Sequence, residues 1–246
     1  MNKFVFVMPS YQNKDWYEKN LTSVLGQTYP HWRAIYTDDA SPDGTGKLVE
    51  EFLRHFDKGG RFKLWRRTER VGAMANIYEM SHTCDDDEIL IHLDGDDWLP
   101  DNDTLNRLNK VYGRGNVWIT YGQYRSYPDQ RIGCAKQIPD NVIANNSFRS
   151  YDWCTSHMRT YYAWLFKKVK REDFMYNDKF IEMTSDLWTM FPMLEMAGPN
   201  QAFISDVMYI YNYGTPLNDA KVNGGLQTKL EHIVRSKAPY QRIVNR

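Results

Sequence analysis

The sequence predicts an α/β fold: a Rossmann-like, mostly parallel central sheet flanked by helices, in a single domain over residues 1–246 whose second half is less regular. Three observations predict it. Strand-like and helix-like segments alternate four times in the first hundred residues, the pattern of parallel strands joined by helical crossovers. Two of the strand-like segments are continuous apolar runs, which suits strands buried on both faces. Acidic clusters follow two of the predicted strands directly, at the edge where open α/β sheets bind ligands.

The elements follow in order. Lys3–Met8 (KFVFVM) is an apolar run ending at Pro9 and predicts a buried strand. Trp16, Leu21, Val24 and Leu25 recur at helical spacing, so Asp15–Leu25 predicts a helix stopping near Gly26. Trp32–Thr37 predicts a second strand, running into Asp38, Asp39 and the turn-rich Ser41-Pro42-Asp43-Gly44. Leu48, Val49, Phe52, Leu53 and Phe56 form a helical stripe over Lys47–Phe56, broken by Gly59-Gly60. A short strand at Arg61–Trp65, a helix at Ala73–His82 and a buried strand at Glu88–Leu93 come next. Thereafter a helix is expected over Thr104–Tyr112, a strand over Val117–Tyr121, and a long loop over Pro128–Ser147. Tyr151–Val169 is aromatic and of mixed structure; Ser185–Met196 predicts a helix, Phe203–Tyr213 a strand, and Leu226–Val234 one short helix in a polar final stretch.

Composition excludes some classes. Lys plus Arg number 31 and Asp plus Glu 31, so the net charge is zero and no nucleic-acid partner is expected from bulk electrostatics. Cys84, Cys134 and Cys154 are too few and too scattered for a disulfide framework and read as reduced thiols of a cytosol-like compartment. Met1–Met8 is too short for a signal peptide, and no apolar run approaches the roughly 20 residues of a spanning helix. No transmembrane segment is therefore expected, and the chain reads as soluble and cytoplasmic, free to meet a membrane surface peripherally.

The strongest chemical signal is Asp94-Gly95-Asp96-Asp97 at the end of a strand. Residues two apart in extended chain face one side, so Asp94 and Asp96 can hold a divalent cation together with phosphate oxygens. Gly95 removes a side chain where a ligand would approach the backbone. An acidic surface turn is the bland alternative; a calcium loop is excluded, because Trp98 and Leu99 stand where an oxygen ligand and a Gly are needed. Asp38 and Asp39, at the second strand end, can accept hydrogen bonds from a base or a ribose, while Asp43 or Thr45 caps the next helix. Tyr11, after the first strand, could stack on a base. No dinucleotide fingerprint, P-loop, zinc pair or nucleophile elbow is present.

Taken together, PSYQN, Gln27-Thr28-Tyr29-Pro30, DDASPDGT and LDGDDWLP resemble, in order and spacing, the motifs of family 2 glycosyltransferases of the GT-A fold. The resemblance is strong over about residues 3–125 and loose over about 150–215. It implies a nucleotide-sugar-binding half, about 1–125, and an acceptor and catalytic-base half with a C-terminal tail, about 126–246. Pro9, Tyr11 and Asp39 would contact base and ribose. Asp96, helped by Asp94, would hold Mn2+ or Mg2+. Arg70 would reach the diphosphate, and Asn76 matches a polar position of the family. The family's base stands at the start of a late helix, which Asp186 in Thr184-Ser185-Asp186-Leu187-Trp188 matches, although Ser185 replaces the usual preceding Glu or Gly; Glu182 is the reserve. His157, in Ser156-His157-Met158-Arg159-Thr160, would touch diphosphate or metal, or else be a structural histidine in an aromatic core.

The implied function is an inverting transfer of a sugar from a nucleotide sugar, UDP-linked for preference, to a hydroxyl of a glycan, glycoprotein or glycolipid. Alternatives remain open: a sugar-nucleotide pyrophosphorylase, a non-catalytic carbohydrate- or nucleotide-binding module of the same fold, and an aromatic-rich interaction protein. The pyrophosphorylase would carry a Gly-rich basic loop after its first strand, where this chain has PSYQN.

Overall fold

A computed structural model describes residues 1–215 and 224–244. Of the polar final stretch, residues 216–223 and 245–246 lie outside the described residues. β1 (Lys3–Ser10) is followed by α1 (Tyr17–Leu25), β2 (Trp32–Asp38), α2 (Thr45–Phe56), β3 (Phe62–Arg66), α3 (Ala73–His82), β4 (Glu88–His92) and α4 (Thr104–Tyr112). The second half holds β5 (Ile119–Tyr127), α5 (Asp140–Ala144), β6 (Thr160–Tyr162), α6 (Ala163–Lys167), the hairpin β7 (Met175–Tyr176) and β8 (Lys179–Phe180), α7 (Ser185–Ala197), β9 (Gln201–Asn212) and α8 (Gly224–Ser236).

One seven-stranded sheet runs β3-β2-β1-β4-β6-β5-β9. β3, β2, β1 and β4 are parallel. β6 lies antiparallel to both β4 and β5, and β5 pairs parallel with β9. The apolar run of β1 is buried on both faces, as its lack of alternation predicts. Phe4, Phe6 and Met8 pack with Leu21 and Val24 of α1, Val49 of α2, and Leu105 and Leu108 of α4. Val5 and Val7 face the other way, onto Ile77 and Met80 of α3 and a core shared with α6, α7 and α8. Helices thus cover both faces, and each fully buried side chain of this kind contributes about 2 kcal/mol.

α3 and α4 have the boundaries the sequence predicts. β5 starts two residues later than expected and runs on to Tyr127, because its pairing with β9 continues through an irregular register near Gly122 and Gln123. The expected loop Pro128–Ser147 contains α5, one short turn of helix held by Val142 against the core. The final helix is longer than expected at Gly224–Ser236. All three cysteines are free. Among the described residues no helix is long and apolar enough to cross a membrane.

Candidate active site

At one edge of the sheet the carboxyl ends of β1, β2 and β4 lie side by side. Backbone hydrogen bonds continue past the strands: Asp39 N–H donates to Ser10 O at 2.9 Å, Leu93 N–H to Val7 O at 3.2 Å, and Gly95 N–H to Pro9 O at 3.0 Å. Parallel register therefore brings both acidic clusters to one crevice.

In the Asp94–Asp97 loop the carboxylates divide. Asp97, 1% exposed, turns inward. It accepts Tyr209 OH and Asn212 N–H, each at 2.7 Å. Burial, reinforced by the charges of Asp96 and Asp94, pushes its pKa well above the usual carboxylate range. Asn20 of α1 donates to the carbonyls of Asp94 at 2.9 Å and Asp97 at 2.7 Å, and Asn212 donates to that of Asp96 at 3.2 Å. With the backbone tied to α1 and β9, the side chains of Asp94 and Asp96 stay partly exposed. Two such carboxylates suit a hard divalent cation completed by water and phosphate oxygens. Among the described residues no three His, Cys, Asp or Glu side chains form a cage from protein alone.

Gly95 is required by a close approach within the protein itself. A Cβ there would lie 2.5 Å from Ser10 Cβ and 2.7 Å from Asn13 Nδ2, so the end of β1 makes a close approach that only Gly allows. Asp39, 3% exposed, accepts Val71 N–H at 3.0 Å and Gly72 N–H at 2.8 Å, tying the loop before α3 to β2. Each oxygen retains a second lone pair. Asp38, its neighbour, faces the opposite side of the sheet. It is buried against the start of α2, where a side chain on Gly46 would overlap it, and burial raises its pKa. Asp38 is thus packed beneath the start of α2.

Pro9 is buried and Tyr11 half-buried at the β1 end. The exposed Arg70 lays its guanidinium 4.0 Å above the Tyr11 ring. Asn76 is fully buried: its carbonyl accepts Arg67 Nε–H at 2.9 Å and its amide donates to Gly72 O at 3.0 Å. Asn76 therefore shapes the α3 terminus from below and offers no accessible atom to a ligand.

The opposite wall comes from β6, α7 and β9. Because β6 runs antiparallel to β4, its N-terminal end reaches the crevice, and His92 N–H donates to Arg159 O at 3.2 Å. Arg159 is 4% exposed. Its NH1 lies 3.4 Å from Asp186 Oδ2 and its NH2 donates to His157 Nδ1 at 3.2 Å. A guanidinium only donates, so His157 Nδ1 holds the lone pair and Nε2 the proton. Burial, then the nearby Arg159 and His92, hold the His157 pKa well below its ordinary 6.5. In this arrangement Nδ1 is engaged by Arg159 and Nε2–H is left as a donor. Its ring stacks on Tyr209 at 4.4 Å and Tyr211 at 5.0 Å.

Asp186, the second residue of α7, has a side chain 28% exposed. Burial raises its pKa and the Arg159 charge opposes the rise. It opens on a cleft of about 240 Å³ lined by Tyr124, Trp153, His157, Tyr211, Gln227 and Glu231, among others. Glu182 is exposed. Sequence reasoning missed Arg159, Asp97 and Asn20. The available signal for Arg159 was a cation directly before the Thr160-Tyr161-Tyr162 run and two residues after His157.

Comparison with known proteins identifies the family and the fold. The model described as Glycosyl transferase family 2 matches residues 5–174. The Escherichia coli protein named UDP-Glc:alpha-D-GlcNAc-diphosphoundecaprenol beta-1,3-glucosyltransferase WfgD is 25% identical over 181 residues, covering 65% of this chain and 67% of its own length. The crystal structure of Staphylococcus aureus TarS 1-349 in complex with UDP-GlcNAc superposes with a TM-score of 0.71 at 17% identity, over 94% of this chain and 65% of that one. A mannosyltransferase of Pyrobaculum calidifontis, PcManGT, in complex with GDP-Man and Mn2+, gives a TM-score of 0.64 at 19% identity, over 96% and 66%. The chain spans two thirds or less of the length of most of the relatives it matches, down to 18% for TuaG of Bacillus subtilis.

Proposed function

The chain belongs to glycosyl transferase family 2, and from that membership we propose an inverting, metal-assisted transfer of a sugar from a nucleoside diphosphate sugar to an acceptor hydroxyl. The carrying observation is that the half-buried Asp94 carboxylate at the β4 end and the Asp186 carboxylate at the α7 start act on one another and share the buried Arg159 between them. The names of the relatives, with their UDP-Glc, UDP-GlcNAc and GDP-Man, support a nucleotide-sugar donor. UDP is the donor nucleotide we favour, and a glycan, glycoprotein or glycolipid the acceptor.

In this reading the base and ribose lie against Pro9, Tyr11 and Asp39, with Arg70 released from the Tyr11 face toward the diphosphate. Asp96 and Asp94 would hold Mn2+ or Mg2+, a role their oxygen donors and partial exposure fit. The cation, when bound, supplies positive charge against the diphosphate as it leaves. Asp186 takes the acceptor proton, and its position in the 240 Å³ cleft supports that role. Tyr124, Tyr211 and Trp153 give the acceptor ring flat apolar faces. His157 contributes a stacked ring and an Nε2–H donor in place of a metal ligand. Asp38 and Asn76 support the crevice from inside.

The test is a panel of nucleotide sugars with Mn2+ and mixed glycan acceptors, read by release of free nucleoside diphosphate. We expect acceptor-dependent release from one donor. Asp186→Asn should keep nucleotide binding and lower transfer by about 100-fold or more. Wild-type turnover in that variant would remove Asp186 as the base. A pyrophosphorylase would instead need added pyrophosphate, and would release a nucleoside triphosphate and the sugar 1-phosphate with no glycan acceptor.

A further inference from the structure

We infer that Arg159 is a positioning residue for transfer: a buried guanidinium that aims the Asp186 carboxylate and the His157 ring into the acceptor cleft. This rests on the reading of Asp186 as the base. An arginine 4% exposed is costly to keep unless its charge is answered. Among the described residues the ion pair that Asp186 makes is with Arg159, and the 3.4 Å separation is wider than a closed charge-assisted hydrogen bond. The carboxylate is therefore steered by the guanidinium without being saturated by it, and the Arg159 charge opposes the rise that burial imposes on its pKa. The second arm, at 3.2 Å from His157 Nδ1, fixes the tautomer and the plane of that ring, so Nε2–H is the donor left over.

The other groups around Asp186 make a cation there necessary. Asp94 adds repulsion from the β4 side, and Glu231 of α8 lines the same cleft. His157 supplies no cation, because its Nδ1 accepts from Arg159. Arg159 Nε is buried without a hydrogen-bond partner, so the side chain is held by packing and by its two outer nitrogens. Its backbone is pinned to His92 of β4, which makes the guanidinium a fixed point between the donor side and the acceptor side. A competing role is direct contact with the donor diphosphate, and the two roles separate experimentally.

The experiment uses the whole chain with Arg159→Gln, Arg159→Lys and Asp186→Asn side by side. Transfer is followed by nucleoside diphosphate release from the donor found active, and binding by calorimetric titration of UDP in Mn2+. For Arg159→Gln we expect kcat to fall about 100-fold, with the UDP dissociation constant and the donor KM within about threefold of wild type. Arg159→Lys keeps the charge and should recover about tenfold of that loss. UDP affinity falling in step with the rate would assign Arg159 to the diphosphate and overturn the inference, as would wild-type kcat in Arg159→Gln or a Lys variant no better than Gln. If Arg159→Gln does not fold, Arg159→Lys decides alone: reduced kcat at unchanged UDP affinity supports the inference, and unchanged kcat or reduced affinity overturns it. Wild-type turnover in Asp186→Asn overturns the base reading and this inference together, whereas an inactive Asp186→Asn beside a fully active Arg159→Gln overturns only this one.

Discussion

Asp97 and Asp96 are adjacent acids with opposite duties, and the difference lies in what each side chain meets. Asp97 receives Tyr209 OH and Asn212 N–H at 2.7 Å, so the loop is stitched to β9 and its outer carboxylates are presented from a rigid base. Asp97→Ala would leave a buried hydroxyl and a buried amide without an acceptor and should cost about 3 kcal/mol in urea unfolding. Asp97→Asn keeps one carbonyl for Asn212 N–H and an amide that Tyr209 oxygen can accept from, and should cost about 1 kcal/mol. Equal losses would mean that the hydrogen-bond pattern is not what Asp97 supplies. The acidic motif was legible in the sequence because four residues after a strand hold three carboxylates. Which of them turns inward was not legible, since it depends on a tyrosine 112 positions away. Gly95 was legible as a close approach, but the approaching partner, Ser10, was not.

At the scale of elements, β6 decides the site and was the hardest to read. Thr160-Tyr161-Tyr162 is three residues long and carries no period, so nothing local distinguishes it from the surrounding aromatic stretch. Only its pairing with β4 and β5 makes it a strand, and only its antiparallel sense sends Arg159 to the crevice. α3 and α4, by contrast, were legible to the residue because each places its apolar side chains at helical spacing. The cleft wall formed by α8 depends on a buried pair. Arg149 Nε and NH2 donate to Glu195 of α7, at 2.5 and 2.9 Å, and NH1 donates to Val234 O of α8 at 2.5 Å. Glu195→Ala strands a buried guanidinium and should cost about 4 kcal/mol in denaturant unfolding. Arg149→Met with Glu195→Leu removes both charges and should cost less than that single change. A double variant as damaged as the single one would contradict this account of the α7–α8 joint.

Across the whole molecule, a parallel half delivers strand ends and an irregular half faces them. β1, β2 and β4 bring Pro9, Asp39 and Asp94 to one edge, while β6, α7 and β9 bring Arg159, Asp186 and Tyr211 to the other side of the same crevice. That division matches the sequence, whose motifs cluster in the first half, because strand-end loops carry local signatures and a wall assembled from distant helices does not. The central claim is that the β4-end carboxylates bind a sugar nucleotide through a divalent cation. Calorimetric titration of UDP into the wild type and Asp96→Ala, each with and without Mn2+, tests it most directly. The account predicts that Mn2+ tightens UDP binding to the wild type at least about tenfold and that Asp96→Ala abolishes the gain. Binding that ignores both the metal and the substitution would contradict it.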